Sequence, residues 1–158
     1  MSFDFNADDI LEMAEQIERN GARFYREASL GVSDPQSKQF LTQLADMEDE
    51  HEQTYADLRR ELKESEKAPT VFDPNDEAVL YLRAMADAQV FLEEEVVDFS
   101  SMKSILRKAI QAEKDSIAFY LGLKGIVPEA LGRQRVDEII QEEMGHIKLL
   151  SQELAAQG

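Results

Sequence analysis

Two helical segments of this chain carry the same pair of polar residues in the middle of an otherwise apolar seam, Glu48 with His51 and Glu143 with His146. Adding 95 to a position carries Glu18 to Glu113, Phe24 to Phe119, Tyr25 to Tyr120, Glu48 to Glu143 and His51 to His146, so both histidines of the chain are used by the repeat. A fold that satisfies this pattern must bring four carboxylates and two imidazoles inward. Facing only apolar neighbours, four ionised carboxylates would repel one another and lose their hydration, at a cost of several kcal/mol each. The repeat therefore constrains both the topology and the chemistry.

The seams themselves are helical. Leu11, Ala14, Glu18, Gly21, Tyr25 and Ala28 recur at spacings of three and four. The same holds for Leu41, Leu44, Glu48, His51, Tyr55, Leu58 and Leu62, for Met102, Leu106, Ala109, Glu113, Ser116, Tyr120 and Leu123, and for Val136, Ile139, Glu143, His146, Leu150 and Leu154. Start and stop signals predict helices over about 7–30, 35–63, 101–124 and 128–155. The first begins with Asn6 as cap, Asp8 and Asp9 in its first turn and Phe5 stapled on Ile10, and ends at Gly31. Asp34-Pro35 opens the second and Pro128 the fourth. Residues 64–100, with Pro69 and Pro74 and a shorter helix over roughly 75–91, form a connection too long for a tight turn and suited to a crossover. The expectation is one all-α domain over residues 1–158, a four-helix bundle with a long crossover that contains an extra short helix.

Residues three apart on a helix project side by side, so each Glu-x-x-His pair can serve one metal cluster. Two divalent ions would cancel the four negative charges. The chain has no cysteine, which excludes disulfides, thiolate zinc sites, rubredoxin-type iron and iron–sulfur clusters. Oxygen and imidazole donors with bridging carboxylates suit iron or manganese, and zinc also fits. A single Glu-x-x-His pair would be no more than a surface pair or a satisfied polar contact. Two symmetric pairs with two symmetric partner glutamates argue for the site.

The formal charge of −16 disfavours nucleic acid and anionic membrane as partners. No basic region followed by an apolar stretch opens the chain and no apolar run approaches a membrane span, so the expected location is the cytoplasm.

Ile-Glu-Arg-Asn-Gly-Ala-Arg-Phe-Tyr at 17–25, Met-Glu-Asp-Glu-His at 47–51, Ala-Glu-Lys-Asp-Ser-Ile-Ala-Phe-Tyr at 112–120 and Glu-Glu-Met-Gly-His at 142–146 resemble the rubrerythrin branch of the ferritin-like di-iron carboxylate superfamily. The resemblance covers essentially the whole chain. It implies two iron ions held by Glu18, Glu48, His51, Glu113, Glu143 and His146, with Glu48 and Glu143 as the expected bridges, and an oxidoreductase that reacts with hydrogen peroxide or oxygen. It also implies a homodimer. Two departures stand out. Rubrerythrins typically append a cysteine-ligated rubredoxin domain, which this sequence lacks, so electrons are expected from an external donor. They also carry a further glutamate one turn after the third-helix ligand, where this chain has Ser116, and that puts peroxidase activity in question. Catalytic residues beyond the metal ligands are not identifiable.

Gly21 and Ser116, each three residues after a ligand glutamate, either leave room above the metals or allow close helix packing. Tyr25 and Tyr120 lie seven residues past their own glutamates, roughly 10 Å along the axis, so they reach the cluster only from antiparallel neighbours. Core packing is their expected role, and Tyr55 is read in the same way. Three functions remain open at this point: a peroxidase-type oxidoreductase, an iron-binding or ferroxidase protein without dedicated turnover, and a structural bundle whose polar seam fixes helix register.

Overall fold

The structure, a computed structural model, describes residues 7–64, 80–82, 84, 96–127 and 129–158. Four long helices carry the four seams: α1 (Ala7–Gly31), α2 (Pro35–Glu64), α3 (Met102–Ile126) and α4 (Arg133–Ala156). Among the described residues there is no strand. The all-α bundle expected from periodicity is the fold observed.

The helix ends show which local signals decided the boundaries. Asp8 and Asp9 sit in the first turn of α1, where the helix dipole favours acids; the cap Asn6 and the staple residue Phe5 lie outside the described residues. Gly31 ends α1, and crowding is the reason it suits glycine. The positive-φ glycines among the described residues are Gly132 and Gly158, whereas a Cβ on Gly31 would come within 2.3 Å of the Phe99 carbonyl oxygen. At the start of α2 the Asp34 carboxylate accepts from both the backbone N–H and the hydroxyl of Ser37, each at 2.9 Å. Ser101 caps α3 by accepting from the Ser104 N–H at 3.3 Å.

The fourth helix begins later than the expected position near Pro128. A 3-10 turn over Glu129–Leu131 comes first, and Gly132 then takes φ 127°. A right-handed helix cannot run through that backbone, so α4 starts at Arg133. Glycine is required there twice over, because a Cβ would also lie 2.2 Å from Leu58 Cδ1. Pro128 itself, the expected first residue of the helix, lies outside the described residues.

Most of the expected crossover, 64–100, also lies outside them. Residues 80–82 and 84 are helical. Leu82 is buried, the Tyr81 hydroxyl donates to the Ala118 carbonyl at 2.6 Å, and Gly122 makes room for the Tyr81 ring, so this piece lies against α3.

The apolar core falls into two clusters. One joins Ile10, Leu11 and Ala14 from the start of α1 to Tyr55, Leu58 and Leu62 near the end of α2, Tyr120 and Leu123 near the end of α3, and Val136 and Ile139 at the start of α4. The other joins Tyr25 and Ala28 to Leu41, Leu44, Leu106, Ala109 and Leu150. These groupings make α1 antiparallel to α2 and α3 and parallel to α4. Each fully buried leucine or isoleucine contributes about 1.5–3 kcal/mol. On the outside Arg59 of α2 pairs with Asp8 at 2.8 Å and Glu15 at 2.9 Å of α1, pinning one end of that hairpin. No helix among the described residues is long and apolar enough to cross a membrane.

Candidate metal centre

Between the two apolar clusters lies a polar layer formed by the interruptions of the four seams. Glu18, Glu48, His51, Glu113, Glu143 and His146 all lie in it, and none is more than 4% exposed. One helix supplies each terminal glutamate, Glu18 from α1 and Glu113 from α3, while α2 and α4 each supply a Glu-x-x-His pair from adjacent turns. All six residues singled out in the sequence are brought together.

Their ligand atoms form two overlapping sets, Glu18, Glu48, His51 and Glu143 in one and Glu48, Glu113, Glu143 and His146 in the other. Within each set one atom from every residue lies within 4.8 Å of the rest. Glu48 and Glu143 belong to both sets, which is the arrangement expected of bridging carboxylates. His51 Nδ1 stands 3.5 Å from Glu18, 3.4 Å from Glu48 and 3.2 Å from Glu143. His146 Nδ1 stands 3.4 Å from Glu113 and 2.9 Å from Glu143. The two rings stack with centroids 5.6 Å apart.

Burial and mutual repulsion set the protonation of this layer. Burial, reinforced by Glu18, Glu113 and Glu143, holds Glu48 well above the usual carboxylate range. Burial with Glu113 and Glu18 pushes Glu143 up to about 8. Burial also opposes charge on Glu113, but His146, Glu143 and the Tyr25 hydroxyl outweigh it and hold that carboxyl low. For His146 burial disfavours the cation, yet Glu113 and Glu143 raise it to about 9; His51 is raised in the same way by Glu143, Glu18 and Glu48. The layer gathers positive charge from protons.

Metal ions would supply that charge with better geometry. Among the described residues Glu48 Oε2, Glu143 Oε2 and His146 Nδ1 are buried without a well-directed hydrogen bond, although the last two stand 2.9 Å apart. Buried polar atoms are rarely left so, because each costs about 1–3 kcal/mol. Here they belong to the two overlapping sets, so their lone pairs converge on shared space. The donor set therefore fits a pair of divalent ions.

Contacts around the layer were only partly foreseeable. Tyr25 and Tyr120 are core aromatics, as expected, and both also touch the site. Tyr25 on α1 donates to Glu113 of α3 at 2.6 Å, and Tyr120 on α3 donates to Glu18 of α1. Tyr55 is packed 5.1 Å from the Tyr120 ring, and its hydroxyl has no hydrogen-bond partner among the described residues. Gly21 makes space for the Glu48 side chain, since a Cβ there would stand 3.0 Å from Glu48 Oε1. Ser116 donates its hydroxyl to the Ala112 carbonyl at 3.0 Å. Both line a cavity of about 480 Å³ between α1 and α3, walled by Ile17, Phe24, Phe99 and Ala112 and reaching Glu18, Glu48 and Glu113. Sequence reasoning missed Glu142 and Met47, which meet the outer ring nitrogens of His51 and His146. Positions 47 and 142 are related by the same offset of 95, but they hold different residues and lie off the seams, so the repeat did not single them out.

Comparison with known proteins agrees with this geometry. A family model described as Rubrerythrin matches residues 9–154. A solved structure from Thermotoga maritima, described as that of a ferritin-like diiron-carboxylate protein, superposes with a TM-score of 0.71, covering 98% of this chain and 97% of that one. The two are 24% identical, so the likeness is one of fold. No curated protein matches the chain.

Proposed function

Because the chain belongs to the rubrerythrin family, we propose that it is a di-iron oxidoreductase reacting with hydrogen peroxide or oxygen, with Glu18, Glu48, His51, Glu113, Glu143 and His146 as the metal ligands. The observation that carries this reading is the overlap of two buried ligand sets on Glu48 and Glu143. A structural polar seam needs neither two shared carboxylates nor converging atoms without partners.

When bound, an iron pair would supply the electrons that reduce the oxidant. The chain's own residues provide the rest. Glu48 and Glu143 hold the two positions together, Glu18 and Glu113 close each end, and four carboxylates offset the charge of two divalent ions. Tyr25 and Tyr120 fix the terminal carboxylates by donating a hydrogen bond to each, which preserves ligand geometry. Gly21 and Ser116 keep the cavity beside Glu48 and Glu113 open to a molecule as small as peroxide. The residues of this sequence include no cysteine and so hold no rubredoxin-type iron, and the electrons are proposed to return from a donor outside this bundle. By family resemblance the working form is a homodimer.

A second reading is iron handling, in which ferrous iron is oxidised and kept. Ser116 favours it, because the place where rubrerythrins typically carry a further glutamate holds a hydroxyl committed to the Ala112 carbonyl. Metal analysis of protein prepared anaerobically, with absorbance followed during peroxide addition, tests both readings. Two irons per chain and sustained peroxide consumption with an artificial reductant support the oxidoreductase. Oxidation with product retained supports iron handling, and no metal at any stage removes both.

A further inference from the structure

The pseudo-symmetry that builds the site is broken behind its two histidines. His51 Nε2 lies 2.5 Å from Glu142 Oε2, whereas His146 Nε2 lies 3.1 Å from Met47 Sδ. Positions 47 and 142 are equivalents in the repeat, each one residue before a bridging glutamate. The same outer position is therefore a carboxylate on one side and a thioether on the other.

Both Nδ1 atoms face the carboxylate layer, so Nδ1 is the donor available to a metal and Nε2 carries the proton outward. A carboxylate accepts that proton strongly and makes the ring a better electron donor through Nδ1, while a thioether is a weak acceptor. Glu142 also brings one more negative charge to the His51 side. Its side chain is 62% exposed, which screens the charge but leaves the hydrogen bond to the ring.

The remaining contacts do not offset this difference. Each set has one terminal glutamate and the two shared ones, and each terminal glutamate receives one tyrosine hydroxyl. Gly21 and Ser116 also differ across the repeat, but Ser116 commits its hydroxyl to the Ala112 carbonyl. We propose that the two metal positions are unequal, the one at His51 filling first, with Glu142 as the positioning residue that makes it the tighter of the two. This rests on the metal-binding reading above.

The test is an anaerobic titration of the metal-free protein with ferrous iron by calorimetry, and with cobalt(II) by its visible bands. The parent is expected to bind in two steps at least about tenfold apart, in keeping with the 10- to 100-fold that outer partners of a metal-bound histidine contribute. Glu142→Gln should weaken the first step by about that factor and shift the cobalt bands of the first equivalent. Met47→Glu should instead strengthen the second step and leave the first-equivalent bands in place. General loosening of the bundle would move both steps together, and melting of each metal-free variant checks that directly. Two ions binding with equal affinity to the parent would overturn the inequality while leaving the di-metal reading intact. A first step within twofold of the parent in Glu142→Gln would overturn the role given to Glu142, again leaving the di-metal reading intact. Failure to bind either metal would overturn both.

Discussion

The Tyr25 hydroxyl on α1 donates to Glu113 on α3 across 2.6 Å, although the two residues are 88 positions apart in sequence. Tyr120 on α3 returns the arrangement to Glu18 on α1, so the antiparallel pair of helices is cross-linked twice, each time onto a terminal carboxylate. A hydrogen bond to a charged group contributes about 1.5–3 kcal/mol, and removing the donor leaves a buried carboxylate oxygen without its partner. Tyr25→Phe and Tyr120→Phe should each destabilise the metal-free protein by roughly that much. Denaturant unfolding measures it, and a loss below about 0.5 kcal/mol in both variants would mean that the hydroxyls are incidental to core packing.

The bridging and terminal glutamates should respond differently to replacement. Glu48 and Glu143 belong to both ligand sets, Glu18 and Glu113 to one each. The double variant Glu48→Ala with Glu143→Ala is expected to bind no metal, whereas Glu18→Ala should retain about one ion in the His146 position. Stoichiometry by elemental analysis after loading and desalting decides the matter. Two ions retained in the double variant would refute the site.

The same residue should also reveal a conflict between binding and stability. Burial and three neighbouring carboxylates make Glu48 an unfavourable occupant of the metal-free layer. Glu48→Gln removes that repulsion at nearly constant shape, so the metal-free variant should be more stable than the metal-free parent, by roughly 1–3 kcal/mol. Its metal affinity should fall at the same time. Thermal melts of both apo proteins check the sign; a less stable variant would show that Glu48 serves the bundle for its own sake.

Much of this architecture was legible because two independent patterns coincide. Seams such as Leu41, Leu44, Glu48, His51 and Tyr55 fix which face of a helix turns inward, and the offset of 95 pairs that face with its equivalent. What was not legible depended on chain geometry beyond one helix. Pro128 is a good first residue for a helix, but the approach of Leu58 and the positive φ of Gly132 move the start to Arg133. Gly31 reads as an ordinary helix end, and only the position of Phe99 shows that it is a close approach. Glu142 is exposed and off the seam, so nothing ranked it above other surface acids until His51 was placed against it. The tyrosines posed a different difficulty, since the same burial that suits a core aromatic brings the hydroxyl to a carboxylate on the opposite helix.

Chelation should lower the melting temperature substantially. A ligand that binds only the folded chain stabilises it by linkage, about 4 kcal/mol at a thousandfold excess over its dissociation constant. For a domain of this size that corresponds to roughly 10 °C. Melting curves of metal-loaded protein with and without a chelator measure it, and coincident curves would place the ions outside the bundle.

Ser116 offers the sharpest test of peroxide chemistry. Its side chain is nearly buried, shares the cavity wall with Gly21 and lies one turn from Glu113 on the same face of α3. Ser116→Glu would restore the carboxylate that rubrerythrins typically carry at this place. Two effects oppose the gain, the larger side chain and a fifth negative charge. The cavity of about 480 Å³ relieves the first. The second is unfavourable in the ferrous protein but favours the oxidised one, whose two ions carry more positive charge, so it assists the step in question. A stabilisation of about 1.4 kcal/mol in the transition state is worth tenfold in rate. Stopped-flow mixing of peroxide with parent and variant, each loaded equally with ferrous iron, should therefore show the variant oxidising about tenfold faster. A variant no faster than the parent would show that the serine does not limit the reaction.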